Sequence, residues 1–69
     1  MPSAVIAGYD YDAETETLTV RYQTGKVYQY LNVPEKVYRD MRSTLYKGHF
    51  LNREIKGHYT FTDVTPEKI

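Results

Sequence analysis

Sixty-nine residues with no net formal charge make one small domain, because a chain of this length buries only about 60% of the surface its unfolded form exposes and has no room for a second core. Hydrophobic residues at 41% and charged residues at 26% fall in the ordinary globular range, which argues against a disordered or fibrous chain. The absence of cysteine excludes a disulfide framework and any thiolate metal site. A cytosolic setting is therefore the simpler expectation, and the short apolar stretch Ala4 to Ala7 is too brief for a signal-peptide core or a membrane span.

The neutral total hides a division. Residues 1–20 carry Asp10, Asp12, Glu14 and Glu16 and no basic side chain. Residues 21–58 carry eight basic residues against three acidic ones, a local charge of +5, and residues 59–69 return −1. Binding footprints follow local field rather than total charge, so the middle of the chain is the candidate anion or nucleic-acid surface.

In chain order, residues 5–11 read as a first strand with Val5, Ala7, Tyr9 and Tyr11 on the more apolar side, expected to face the core. Asp12 to Glu16 reads as a turn in which the Asp12 carboxylate bonds amides two or three residues on. Thr17 to Tyr22 alternates polar and apolar residues and is a strand with one buried face; Val27 to Leu31 is another. Between them, Gln23-Thr24-Gly25 fits a three-residue loop ending in a left-handed glycine. That loop sets Val20 opposite Tyr28 and Leu18 opposite Tyr30 on one face, whereas a two-residue turn at Thr24-Gly25 would set Gln29 against Val20 and turn both tyrosines outward.

Past Leu31 the apolar period lengthens: Val33, Val37, Met41 and Leu45 recur every four residues, with Tyr38 beside them, which predicts an amphipathic helix ending near Ser43-Thr44. Asn32 or Val33 caps it and Pro34 takes the first helical position. A second, shorter helix from Lys47 or Gly48 carries Phe50, Leu51 and Ile55 inward and stops at Gly57 as its left-handed cap. Thr60 to Val64 alternates weakly and can add a short edge strand. The ordered core is thus expected over about residues 3–64, with Thr65 to Ile69 as a frayed tail. The fold class is α+β: a three-stranded antiparallel meander followed by two short helices packed on one face, with a short C-terminal edge strand as an addition.

Tyr28-Gln29-Tyr30, Val33-Pro34 and Lys47-Gly48, together with Ile6, Tyr11-Asp12, Leu18, Val20, Tyr22, Gly25, Val37-Tyr38, Phe50, Asn52 and Ile55, resemble the KTSC domain, a small family named for its occurrence at the C-terminus of some lysyl-tRNA synthetases. The likeness runs from about Ser3 to Tyr59. Tyr46 departs from it, standing where the family usually has Ser before Lys-Gly. The resemblance implies no established activity, and it points to RNA through the attachment of such domains to a tRNA synthetase.

The residues give little support to catalysis. His49 and His58 are nine positions apart, and no glycine-rich loop precedes a helix. The acidic run lacks the glycine and terminal glutamate of a calcium loop, so neither a metal nor a cofactor is expected. Tyr28 and Tyr30, by the register above, belong in the core rather than on a base-stacking platform. The basic side chains carry the functional expectation. His49, Arg53 and Lys56 fall at i, i+4 and i+7 on the second helix, Arg39 and Arg42 lie together on the first, and Lys47 sits between. These six are the candidate RNA or tRNA contacts of a non-catalytic binding module. The alternative is a protein-interaction module using the sheet edge or the open face with Val27 and Leu31.

Overall fold

The computed structural model describes residues 6–66. Strands β1 (Ile6–Asp12), β2 (Thr17–Tyr22) and β3 (Val27–Tyr30) precede helix α1 (Glu35–Ser43). A short helical turn α2 (Lys47–Phe50) then runs directly into a widened π turn (Leu51–Ile55), and β4 (Phe61–Asp63) closes the sheet in the order β1-β2-β3-β4, all antiparallel. The edge strand expected near the C-terminus is thus a fourth strand of the sheet. Among the described residues no helix is long and apolar enough to cross a membrane.

The β2–β3 register is the one the bulged turn requires. Leu18 pairs with Tyr30 and Val20 with Tyr28, the Tyr22 amide donates to the Lys26 carbonyl at 2.8 Å, and Gly25 takes φ +97°. Side chains on the helix-covered face line up across the sheet in two rows, Tyr11-Leu18-Tyr30-Phe61 and Tyr9-Val20-Tyr28-Asp63. The core consists of Leu18, Val20 and Tyr30 from the sheet, Val33 from the β3–α1 connection, and Met41, Leu51 and Ile55 from the helical layer, each at most 1% exposed. On the other face Thr19, Arg21, Val27 and Gln29 are at least partly exposed, and Arg21 reaches across Gly8 to Asp10 at 2.7 Å. A Cβ at Gly8 would sit on that guanidinium.

The expected facing of β1 needs correction. The pairing shifts between Ile6 and Gly8, so Ile6 opposes Tyr22 and Ala7 is the extra residue of a β-bulge. Beyond the bulge Tyr9 and Tyr11 face the core as expected, but Ile6 packs against it in place of the exposed Ala7. Val5, placed on the same inward side by its alternation, lies outside the described residues. At the β1–β2 turn, the Glu14 amide donates to Asp12 Oδ1 at 3.0 Å, as the sequence leads one to expect. Glu16 completes the turn at φ +54°, an uncommon conformation for a residue with a Cβ.

Asn32, at φ +60°, turns the chain out of β3, and its short polar side chain tolerates that region. Pro34 is itself the N-cap of α1, with φ −63° and ψ 151°. It stands one position earlier than expected, and its carbonyl accepts the first helical bonds from the Val37 and Tyr38 amides. Val33, expected as a cap or as the start of the helical stripe, is instead a buried residue of the β3–α1 connection. Both its backbone groups are taken: its amide donates to the Glu16 carbonyl at 2.8 Å and its carbonyl accepts the Tyr11 hydroxyl at 2.6 Å.

Helix α1 ends at Ser43, and Thr44 is extended. Leu45 therefore leaves the helical period that Val37 and Met41 follow and is 83% exposed. Leu51 and Ile55 are buried as expected and Phe50 is half-buried, but the ladder beyond Phe50 widens, with the Lys56 amide bonded to the Leu51 carbonyl five residues back at 2.8 Å. Gly57 has the left-handed φ of +83°. It serves as the third residue of a type II turn over Ile55–His58, with Lys56 at φ −65° and ψ 129° and the His58 amide bonded to Ile55. Thr65, expected to begin the frayed tail, is held: its hydroxyl accepts the Val27 amide at 2.9 Å and bonds Asp63 Oδ1 at 2.6 Å, while residues 67–69 of that tail lie outside the described residues.

Candidate nucleic-acid interface

The six basic candidates occupy three settings. On α1, Arg39 lies 3.4 Å from Glu35 one turn back, and the Arg42 guanidinium sits 5.7 Å from the centre of the Tyr38 ring. That ring is in turn stacked on Tyr11, with centroids 4.5 Å apart and planes 10° from parallel. A cation over an aromatic face is attracted by the ring quadrupole, so Arg42 is anchored through α1 to β1.

Between the helices, Lys47 is half-buried and donates to the Thr44 carbonyl at 3.0 Å. Tyr46 makes no side-chain cap to α2; the Tyr46 amide instead donates to Thr44 Oγ1 at 3.2 Å. Lys47 also borders a depression of about 310 Å³ with Ile6, Ala7, Gly8, Tyr9 and Leu45, beside the bulged edge of β1.

The third setting breaks the expected stripe on the second helix. His49, Arg53 and Lys56 align only if every residue advances by the α-helical angle, and the π turn does not keep that advance. His49 is exposed, Arg53 leans 3.4 Å from its neighbour Glu54, and Lys56 has left the helix for the extended limb of the type II turn. There it borders a cleft of about 200 Å³ with Tyr22, Thr24, Lys26 and Tyr28. Lys47 and Lys56 thus border different depressions, rather than flanking one strip.

Tyr30 is 1% exposed, whereas Tyr28 is only half-buried. Their rings and those of Tyr22 and Phe61 form a second aromatic cluster, with Tyr28 5.4 Å from Tyr22 and 4.9 Å from the half-exposed Phe61. Burial pushes the Tyr22 phenol well above its ordinary range and also raises that of Tyr30. Tyr11 is also raised, by burial and then by Glu16, Glu35 and Asp12. Among the described residues no three His, Asp or Glu side chains gather as a metal site would need.

Every basic candidate is thus presented by a layer whose opposite side packs on an antiparallel sheet. The family model of the KTSC domain matches residues 2–59. The chain belongs to the KTSC domain family. The lysine-tRNA ligase of Nostoc punctiforme is 36% identical to this KTSC domain over 62 residues, covering 90% of the chain and 11% of the ligase. That of Trichormus variabilis is 32% identical over 60 residues, covering 87% and 11%. The chain therefore spans about a tenth of the length of these relatives. A crystal structure of a KTSC domain protein from Yersinia pestis superposes with a TM-score of 0.87 at 30% identity, covering 93% of this chain and 90% of that one. The KTSC fold is accordingly this α+β arrangement of a four-stranded antiparallel sheet with a helical layer on one face.

Lys26 was not singled out by the sequence. Its place opposite Tyr22 follows from the hairpin register, but its nearness to Lys56 depends on how the π turn docks.

Proposed function

We propose that this KTSC domain is a non-catalytic binding module that takes RNA, with tRNA as the leading candidate, through Arg39, Arg42, Lys47, His49, Arg53 and Lys56. The observation that carries the reading is the relationship to lysine-tRNA ligases, in which a segment like this chain is one part of a much longer protein. Support also comes from the +5 charge of residues 21–58. Among the described residues the Thr65 hydroxyl bonds the Asp63 carboxylate as part of the tie between β4 and Val27, and no histidine is hydrogen-bonded to a hydroxyl, which is why binding is preferred to chemistry. The setting proposed is the cytosol, where tRNA is found. The test is a salt series of affinity for tRNA and for an unstructured RNA pool. Phosphate-driven binding weakens steeply as salt rises, and the reading fails if no salt-dependent affinity appears at low ionic strength.

A second reading, a protein-interaction module, is favoured by one observation. Leu45, 83% exposed, borders a depression with Ile6, Ala7, Gly8 and Tyr9 of the edge strand β1, and an exposed strand edge with a nearby apolar knob is what strand addition uses.

A further inference from the structure

We propose that the cleft between the β2–β3 hairpin and the turn after the π segment is a nucleotide subsite, in which Lys26 and Lys56 hold a phosphate and the Tyr22 and Tyr28 rings take the attached base. The inference rests on the RNA-binding reading and names the part of the surface that receives a single nucleotide.

The charges are the first argument. Among the described residues the ion pairs are Arg21 with Asp10, Lys36 with Asp40, Arg39 with Glu35 and Arg53 with Glu54. Neither Lys26 nor Lys56 is in that set, so two ammonium groups thirty positions apart in sequence border one cleft without a carboxylate in contact. Asp63 feels Lys26 electrostatically but forms no ion pair with it. The Thr65 hydroxyl and amide hold its carboxyl below the usual range, with Lys26 adding to the effect. Its oxygen Oδ1 is therefore already occupied by Thr65, and the lysines remain available to an anion from outside. Lysine recognises phosphate as a point charge without fixed geometry, which suits a backbone group.

Shape supplies the second argument. The cleft holds about 200 Å³, below the roughly 300–1,000 Å³ of sites that enclose a drug-sized ligand. A cleft of that size does not enclose a ligand, and a single nucleotide, free or within a chain, can rest in it partly exposed. The walls are set before any ligand arrives: the Tyr22 and Tyr30 hydroxyls are 2.8 Å apart, Tyr28 leans on Phe61, and the two lysine-bearing turns are fixed by glycines at φ +97° and +83°. Stacking on such rings tolerates any base, because every base has a π face.

The experiment is an NMR titration of the 69-residue chain with adenosine 5′-monophosphate, with inorganic phosphate alone, and with a short single-stranded RNA. The subsite requires the monophosphate to shift the Thr24, Lys26 and Lys56 amides and the Tyr22 and Tyr28 ring signals, and to bind more tightly than phosphate. Lys26→Gln combined with Lys56→Gln should weaken the monophosphate at least tenfold, while Lys36→Gln, at an exposed lysine of α1 outside the cleft, should leave it unchanged. Shifts elsewhere, equal affinity for phosphate alone, or indifference to the lysine pair would overturn the subsite. RNA binding that depends on Arg39 and Arg53 and not on the lysine pair would also overturn it and leave the wider interface standing. Monophosphate binding at the cleft without salt-dependent RNA binding would support the subsite and remove the RNA reading.

Discussion

The hydroxyls of Tyr22 and Tyr30 meet at 2.8 Å where the core opens toward the hairpin cleft. Tyr30 is 1% exposed, so its hydroxyl depends on Tyr22 for a partner. Tyr22→Phe should cost about 1–3 kcal/mol, the penalty of stranding a buried polar group, while Tyr22→Phe with Tyr30→Phe should be closer to neutral because neither partner is left behind. Denaturant midpoints of the two variants check the order. The same pair sets an alkaline limit. A phenol whose folded pKa is raised contributes stability that is whole below its unfolded value, near 10, and is lost as pH climbs through the folded one. Melting temperature should fall as pH rises past about 10, and less so in the double Phe variant.

Leu18 is wholly buried between Tyr11 and Tyr30 in its cross-strand row. Leu18→Ala should destabilise by roughly 2–5 kcal/mol, a large share of what so small a domain has. An unchanged midpoint in chemical denaturation would contradict the core described above.

Gly25 has φ +97° and open space where a Cβ would lie, so a side chain there meets backbone strain and no clash. Gly25→Val should cost about 1–2 kcal/mol, and Thr24→Val less than about 0.5 kcal/mol. Equal thermal shifts for the two would contradict the three-residue loop.

Arg39 and Arg53 are exposed and paired with carboxylates on their own helical segments, and such pairs contribute little to folding. Arg39→Gln with Arg53→Gln should leave the melting temperature nearly unchanged. If both arginines touch phosphates, the slope of log affinity against log salt for single-stranded RNA should drop by about 1.4.

Asp63 is kept ionised first by the hydroxyl and then by the amide of Thr65. A carboxyl with a lowered folded pKa contributes stability above its unfolded value, 3.8, that disappears as pH falls through the folded one. The Val64 and Thr65 amides should lose protection, measured against intrinsic exchange at the same pH, below about pH 4, and Thr65→Val should produce the same loosening at neutral pH. Exchange at those two positions that ignores both changes would separate Asp63 from the closure of β4.

The hairpin was legible because two local signals agree there: alternation in Thr17 to Tyr22, and a glycine where the loop demands positive φ. β1 was half legible, since alternation gives the facing of Tyr9 and Tyr11 but carries no mark of the extra residue Ala7 that shifts Ile6 inward. Leu45 keeps the helical spacing in sequence, yet the extended Thr44 removes it from the helix. The π turn is equally silent, because Leu51 and Ile55 are four apart and suit an ordinary helix. Its effect falls on Lys56, which moves from a presumed basic stripe to the mouth of a cleft shared with Lys26. The basic residues themselves were visible; the partners that hold Arg42 over Tyr38 and Lys47 on Thr44 are tertiary, and no spacing rule reports them.

Val33 joins the sheet to the helical layer with both of its peptide groups already spoken for by the first hairpin, through the Glu16 carbonyl and the Tyr11 hydroxyl. The helical layer therefore cannot swing away from the sheet at this hinge without also prying open the β1–β2 turn. Local opening of that kind would be coupled across the two layers, and the Val33 amide would exchange with solvent only in the larger unfolding events of the domain, not with the fraying of α1 itself.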